Sequence, residues 1–217
     1  MSYSQRLSET RLGTIINEES KQQEKILLQA IWKIIPILKH IYGFEIVYES
    51  KLSTKEITDS VLRSGEYLEN THQFLSTSSI KPDGGFLYIV HKNKKYCILC
   101  SEAKKQGTGN HSSKGNAIER LGKNVIALSS YFCNEDIFPF VAFCYGCDFE
   151  KGSYIIDRLG CISHGRKLNV VNNKRMCGQL IGSYFHQVEE YELEKYVEIC
   201  MSICFQSIDY YKNKYNI

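Results

Sequence analysis

Apolar residues recur along the chain at two different periods, and the alternation between them outlines the fold. Ile26, Ala30, Ile34, Leu38 and Ile41 are spaced three and four apart, as on the core face of a helix, with a kink expected at Pro36. Phe44–Glu49 has the length and make-up of a short strand, and Ser53–Leu68 predicts a second helix. Phe86–His91 and Lys95–Glu102 are strand-like runs separated by a Lys-Asn-Lys turn, which predicts a hairpin. Ile118, Leu121, Val125, Leu128 and Phe132 return to helical spacing. Pro139–Tyr145 is a continuous apolar run of the kind found in a central strand, and Leu193, Val197, Cys200, Cys204 and Ile208 mark a last helix. Helices on either side of a sheet whose strands are partly hairpin-linked give an α/β fold with a central mixed sheet.

The chain has 217 residues and only three prolines, with no repeat, low-complexity tract or linker, so residues 1–217 read as one domain. Charged residues make up 24% and hydrophobic ones 43%, which excludes a disordered chain. The net charge of +3 says little by itself, but its distribution says more. Lys81–Lys123 carries nine Lys or Arg against three acidic residues, Lys151–Arg175 six against one, and Met176 onward three against six. Two basic stretches suit a phosphate-lined groove, although most such runs are no more than a solvated face. Met1–Glu24 lacks the apolar segment of a signal peptide, and Ile26–Tyr42 is too short and too charged to span a bilayer. The expectation is a cytoplasmic protein with no membrane partner. Nine cysteines, several inside apolar runs, read as reduced buried thiols. Cys97/Cys100 and Cys144/Cys147 have C-x-x-C spacing, but the first pair lies on a strand, where residues three apart face opposite sides, so structural zinc is not expected there. The six histidines show no ligand spacing.

The sharpest local feature is Pro82-Asp83-Gly84-Gly85 followed by Glu102-Ala103-Lys104. If the two intervening strands pair as a hairpin, the chain goes out and returns, and Asp83 comes back beside Glu102. Glu102 and Lys104 are two apart on an extended chain and so share a face. Two carboxylates and an ammonium then converge on one point. Hard oxygen donors of that kind suit Mg²⁺, and the ammonium suits a phosphate on which charge builds up. Both short motifs also occur by chance on protein surfaces, so the residues alone leave that alternative open.

The surrounding sequence resembles the EcoRI/MunI group of type II restriction endonucleases, in the PD-(D/E)xK superfamily. The resemblance is carried by Ser78–Gly85, by Glu102–Gly107 with one change after the lysine, by Gly115–Arg120 followed by Lys123-Asn124, and by Phe138–Val141 with Gly146 beyond it. These occur in the group's order and span roughly Ser78–Phe149, about a third of the chain. The resemblance implies the PD-(D/E)xK fold, with Asp83 and Glu102 binding Mg²⁺, the Ala103 carbonyl completing the metal site, and Lys104 as the catalytic lysine. It implies a recognition segment at Gly115, Asn116, Ala117, Glu119 and Arg120, an extended chain entering the major groove and leading into a helix, with Asn116, Glu119 and Arg120 reading the adenines of an AATT core. The residue chemistry agrees: Asn pairs with adenine N6 and N7, Glu accepts from an exocyclic amine, and Arg donates to N7 or O6. Ser79, Lys81, Gln106, Lys123 and Asn124 are the implied phosphate contacts. His111 stands out only through the same resemblance, which places it just before the recognition segment, where it could contact a phosphate. The implied partners are double-stranded DNA, a second copy of the chain, because a palindrome has two-fold symmetry, and a companion DNA methyltransferase.

Two departures stand out. The stretch between Lys104 and Gly115 is shorter than in EcoRI, and Ser112, Ser113 and Lys114 replace small apolar residues there. Lys114 can donate to a guanine, so the outer base pair is open between sites such as GAATTC and CAATTG. A repair nuclease that reads DNA structure, and a DNA-binding protein without catalysis, are the other readings of the same fold.

Overall fold

The computed structural model describes residues 3–64, 78–105, 116–149, 169–172 and 181–217; for 3–20, 64, 116–120, 169–172 and 181 it describes the backbone alone. The elements are α1 (Tyr3–Tyr42), β1 (Glu45–Glu49), β2 (Leu52–Ser53), α2 (Thr54–Ser64), β3 (Ser79–Ile80), β4 (Gly85–His91), β5 (Lys94–Lys105), α3 (Asn116–Tyr131), β6 (Phe138–Tyr145), β7 (Asn169–Asn172), β8 (Ile181–Gln187) and α4 (Leu193–Tyr215). Six strands form one mixed sheet in the order β1-β4-β5-β6-β8-β7. β1, β4 and β5 pair antiparallel, while β6, β8 and β7 run parallel to β5. The expected α/β fold with a mixed central sheet is what the chain adopts.

Each face of the sheet buries its own core. On one side α1 and α4 cover Leu87, Ile89, Leu99, Val141 and Phe143. On the other, α3 lays Leu121, Val125, Leu128 and Phe132 against Phe86, Cys100, Phe140 and Ala142. The hairpin turn consists of Lys92 and Asn93, both with positive φ (48° and 62°), the left-handed pair that matches strand twist in a two-residue loop. Helix α2 starts on a capping box: Glu56 N–H donates to Ser53 Oγ at 3.2 Å, and Ser53 N–H donates to Glu56 Oε2 at 3.0 Å.

The structure corrects several sequence readings. Helix α1 begins at Tyr3, well before the expected Ile26, and continues through Pro36. Its buried stripe is Leu27, Ala30, Ile31, Ile34 and Leu38; Ile41 is exposed. Leu52–Ser53, Ser79–Ile80, Asn169–Asn172 and Ile181–Gln187 are strands the apolar pattern does not announce. Cys97 and Cys100 do not face opposite sides. The register slips between Leu87 and Tyr88, leaving Ile98 as an extra residue on β5, and both thiols enter the α3-side core. Both are buried and free. Among the described residues no helix is long and apolar enough to cross a membrane.

Candidate active site

The bulge at Ile98 also sets the phase of the strand's far end. Beyond it Leu99 and Ala103 face the α1/α4 side, while Cys100 faces α3, and by alternation Glu102 and Lys104 follow Cys100. Asp83 arrives from the other strand through a tight turn. Gly85 N–H donates to Pro82 O at 3.0 Å, and Gly84 N–H donates to Ser101 O at 2.9 Å, which pins the turn to β5. Both glycines suit the turn. Gly85 has φ +67°, and a Cβ on Gly84 would lie 2.0 Å from Ser101 Oγ.

At this end of β5 the three charged groups meet. Lys104 Nζ lies 2.8 Å from Asp83 Oδ2 and 2.7 Å from Glu102 Oε1. Ala103 N–H also donates to Asp83 Oδ2, at 3.0 Å. Glu102 is almost wholly buried, at 2% exposure, whereas Asp83 and Lys104 remain open at 16% and 21%. Burial pushes the Glu102 carboxyl pKa up and the charge of Asp83 adds to it; the Lys104 ammonium and the hydrogen bonds of Lys104 and Asn124 work in the other direction. Burial alone would lower the Lys104 pKa, but Glu102 and Asp83 outweigh it, so the net shift is upward and the ammonium is held charged.

The fold brings further groups to this end of the strand, of which the sequence names only Asn124, as a phosphate contact. Asn124 Nδ2 donates to both oxygens of Glu102, at 3.2 and 3.4 Å, so this implied phosphate contact has a partner inside the protein. Glu24 on α1 has a raised pKa, through burial first and then the charge of Asp83, which makes it a further carboxylate within electrostatic reach. Lys105 lies 3.7 Å from Glu190, and Glu190 accepts from Gln23 Nε2 at 3.1 Å, a link that ties α1 to the segment after β8. No short sequence pattern joins residues so far apart; only the tertiary fold does.

The other implied site residues are placed unevenly. Ser79 is half-buried on β3, paired with Ser53. Lys81 and Lys123 are exposed. Gln106, His111, Lys114 and Gly115 lie outside the described residues. Asn116, Ala117, Glu119 and Arg120 are already helical, in the first turns of α3. This corrects the extended chain expected over Gly115–Arg120: Ala117, Glu119 and Arg120 are good helix formers, and the apolar period of α3 starts at Ile118.

The donors present fit a hard divalent cation: two carboxylates with a main-chain carbonyl between Glu102 and Lys104. Among the described residues no three His, Cys, Asp or Glu side chains gather to hold an ion, so a metal here would rely on the main chain and solvent to complete its shell.

The chain is 29% identical over 144 residues to the type II restriction enzyme RsrI of Cereibacter sphaeroides, covering 58% of this chain and 50% of that protein. It is 29% identical over 150 residues to the type II restriction enzyme EcoRI of Escherichia coli, covering 61% and 52%. The match thus spans about half the length of each relative. The family described as restriction endonuclease EcoRI matches residues 8–217, nearly the whole chain, and the chain belongs to that family.

Proposed function

We propose that this chain is a type II site-specific deoxyribonuclease that, as a homodimer, hydrolyses one phosphodiester in each strand of an AATT-centred palindrome. The observation that carries the reading is the convergence of Asp83 and Glu102 on the Lys104 ammonium, at 2.8 and 2.7 Å. Family membership and the relatives' names support it. Asp83, Glu102 and the Ala103 carbonyl would hold Mg²⁺. The bound ion would supply Lewis acidity toward a phosphate oxygen and lower the pKa of a water.

The chain's own groups divide the remaining work. Lys104, kept charged by the two carboxylates, donates toward the scissile phosphate and meets the charge that builds there. Asp83 is fixed by Ala103 N–H, so it does not swing when a ligand enters. Water attacks phosphorus, the bond to the 3′ oxygen breaks, and the products are a 5′-phosphate and a 3′-hydroxyl. Asn116, Glu119 and Arg120 read the inner four base pairs. Lys114 donates to a guanine of an outer G·C pair, a discrimination worth roughly 1–3 kcal/mol. A host carrying such an enzyme needs a methyltransferase that protects the same site.

The test is to incubate the purified protein with plasmid and Mg²⁺, and to sequence the fragment ends. Discrete fragments with 5′-phosphate ends at AATT-centred sites are expected. Nicking limited to irregular structures would replace this reading with a repair nuclease, and no cleavage at all with a non-catalytic DNA binder. A library with randomised outer pairs tests Lys114. If wild type cuts every flanking pair equally, its assigned role is wrong.

A further inference from the structure

We infer that Asn124 is a positioning residue that couples the reading of bases to the metal-binding carboxylate Glu102. Helix α3 begins at Asn116, so Asn116, Glu119, Arg120 and Asn124 belong to one continuous helix. Positions 116, 120 and 124 are four apart and fall on one stripe of it. From Asn116 to Asn124 is about 12 Å of helix. The helix cannot easily bend over that distance, because Leu121, Val125 and Leu128 seat it in the core. At the far end of the stripe the Asn124 amide donates to both oxygens of Glu102. Glu102 is buried, so it has little water with which to replace that donor. A small shift of α3 on engaging bases therefore reorients Glu102.

This assigns Asn124 differently from a phosphate contact, and the two roles separate experimentally. The inference rests on the nuclease reading, and wild-type cleavage run alongside tests that reading separately. In Asn124→Ala, metal-free binding to a cognate duplex should stay within about twofold of wild type, with an unchanged salt slope. The Mg²⁺ concentration for half-maximal cleavage should rise roughly tenfold or more, as happens when the outer partner of a metal ligand is removed. Calorimetric titration of the DNA-bound protein with Mg²⁺ should show the same weakening. Cleavage at the cognate site should also fall more than cleavage at a site with one wrong base, while the binding preference between the two sites holds. A flatter salt slope with an unchanged Mg²⁺ midpoint would make Asn124 a phosphate contact and overturn the inference. So would a variant identical to wild type in every measurement. Should Asn124→Ala fail to bind duplex, Asn124→Ser, whose shorter side chain and single hydroxyl proton cannot bond both oxygens of Glu102, goes through the same series. A raised Mg²⁺ midpoint in Asn124→Ser supports the coupling; a wild-type midpoint, or loss of duplex binding there too, overturns it.

Discussion

Strand β5 carries lysines at both ends and treats them in opposite ways. At its start Lys95 pairs with Glu49 on the surface, with side chains 48% and 26% exposed, and Lys94 lies over the rings of Tyr96 and Tyr215 at 4.8 and 4.5 Å. Roughly 30 Å along the strand, Lys104 is held between Asp83 and a Glu102 that is only 2% exposed. Water solvates the first lysines whether or not they find partners, so their contacts add little, about 1 kcal/mol or less each. At the other end desolvation is costly, and each buried charge needs fixed partners. Lys104 has two such partners, and Glu102 has Lys104 and Asn124. A chain selected only for stability would have no reason to bury those charges, which supports the proposal that the second end is the active site.

The largest effects should come from breaking the buried trio. Asp83→Asn, Glu102→Gln and Lys104→Met should each reduce cleavage by at least 10²–10³-fold, on the order seen when a charge-stabilising group is lost from an active site. Stability should split them. Lys104→Met leaves two carboxylates facing each other and should lower unfolding free energy by a few kcal/mol, less than the roughly 3–5 of a fully buried pair because Lys104 is 21% exposed. Glu102→Gln removes the costliest charge and should be as stable as wild type or more so. Lys95→Met at the other end should change stability by less than about 1 kcal/mol and leave cleavage intact. Urea midpoints with plasmid assays decide this. A Lys104→Met protein as stable as wild type would mean that the two ends do not differ as described.

The turn that delivers Asp83 offers a sharper version of the same contrast. Gly84→Ala places a Cβ 2.0 Å from Ser101 Oγ and 3.1 Å from Leu27, so either Ser101 gives way or the Pro82–Gly85 turn moves and carries Asp83 with it; the expectation is that the turn moves. It should cost about 1–3 kcal/mol as overpacking, with most of the cleavage lost. Ser101→Ala removes the clashing oxygen and should restore part of both in the double variant. Lack of any rescue would show that the clash is not the cause.

Much of this was legible in the chain. The hairpin, the return of Asp83 beside Glu102, and the shared face of Glu102 and Lys104 follow from strand alternation and one turn. Which face they share does not, because the extra residue at Ile98 sets the phase and nothing local marks a bulge there. The first part of α1 is hard to read because its few apolar residues, Tyr3, Leu7, Leu12, Ile15 and Ile16, are cut off from the later stripe by the wholly polar run Asn17–Lys25. Ile181–Gln187 was missed because Gly182, Ser183, His186 and Gln187 break the apolar run, although the strand lies inside the sheet between β6 and β7. Asn124 and Gln23 act on residues distant in sequence, and a single polar side chain on a helix gives no sign of its partner.

Lys81 and Lys123, the exposed lysines among the proposed phosphate contacts, should behave like the solvated end of β5, with long-range effects only. Lys81→Ala and Lys123→Ala should each weaken specific and non-specific duplex binding alike, and reduce the slope of log K against log salt by about one unit. Folding stability should hardly change. An unaltered salt slope would remove that residue from the interface.

The smallest effect tests what happens to a buried ionisable group that meets no counter-charge among the described residues. His186 lies level with Lys104 across the sheet, with Cys144 between them. It is 5% exposed, and among the described residues its Nδ1 has no hydrogen-bond partner. Burial lowers its pKa, only partly opposed by a backbone hydrogen bond at Phe149. Where Lys104 keeps its charge through two carboxylates, His186 stays neutral. The folded protein therefore takes up a proton at His186 less readily than the unfolded chain does. Stability from this group is full above the ordinary imidazole value of about 6.5 and is lost as pH falls through that value toward the lowered one. Other groups titrate in the same range, so the measurement is a difference. Urea midpoints of wild type and His186→Asn, compared between about pH 7.5 and pH 5.5, should show a steeper acid loss in wild type. Equal losses would mean that His186 finds a counter-charge in solution, and that burial without a partner does not by itself distinguish it from Lys104.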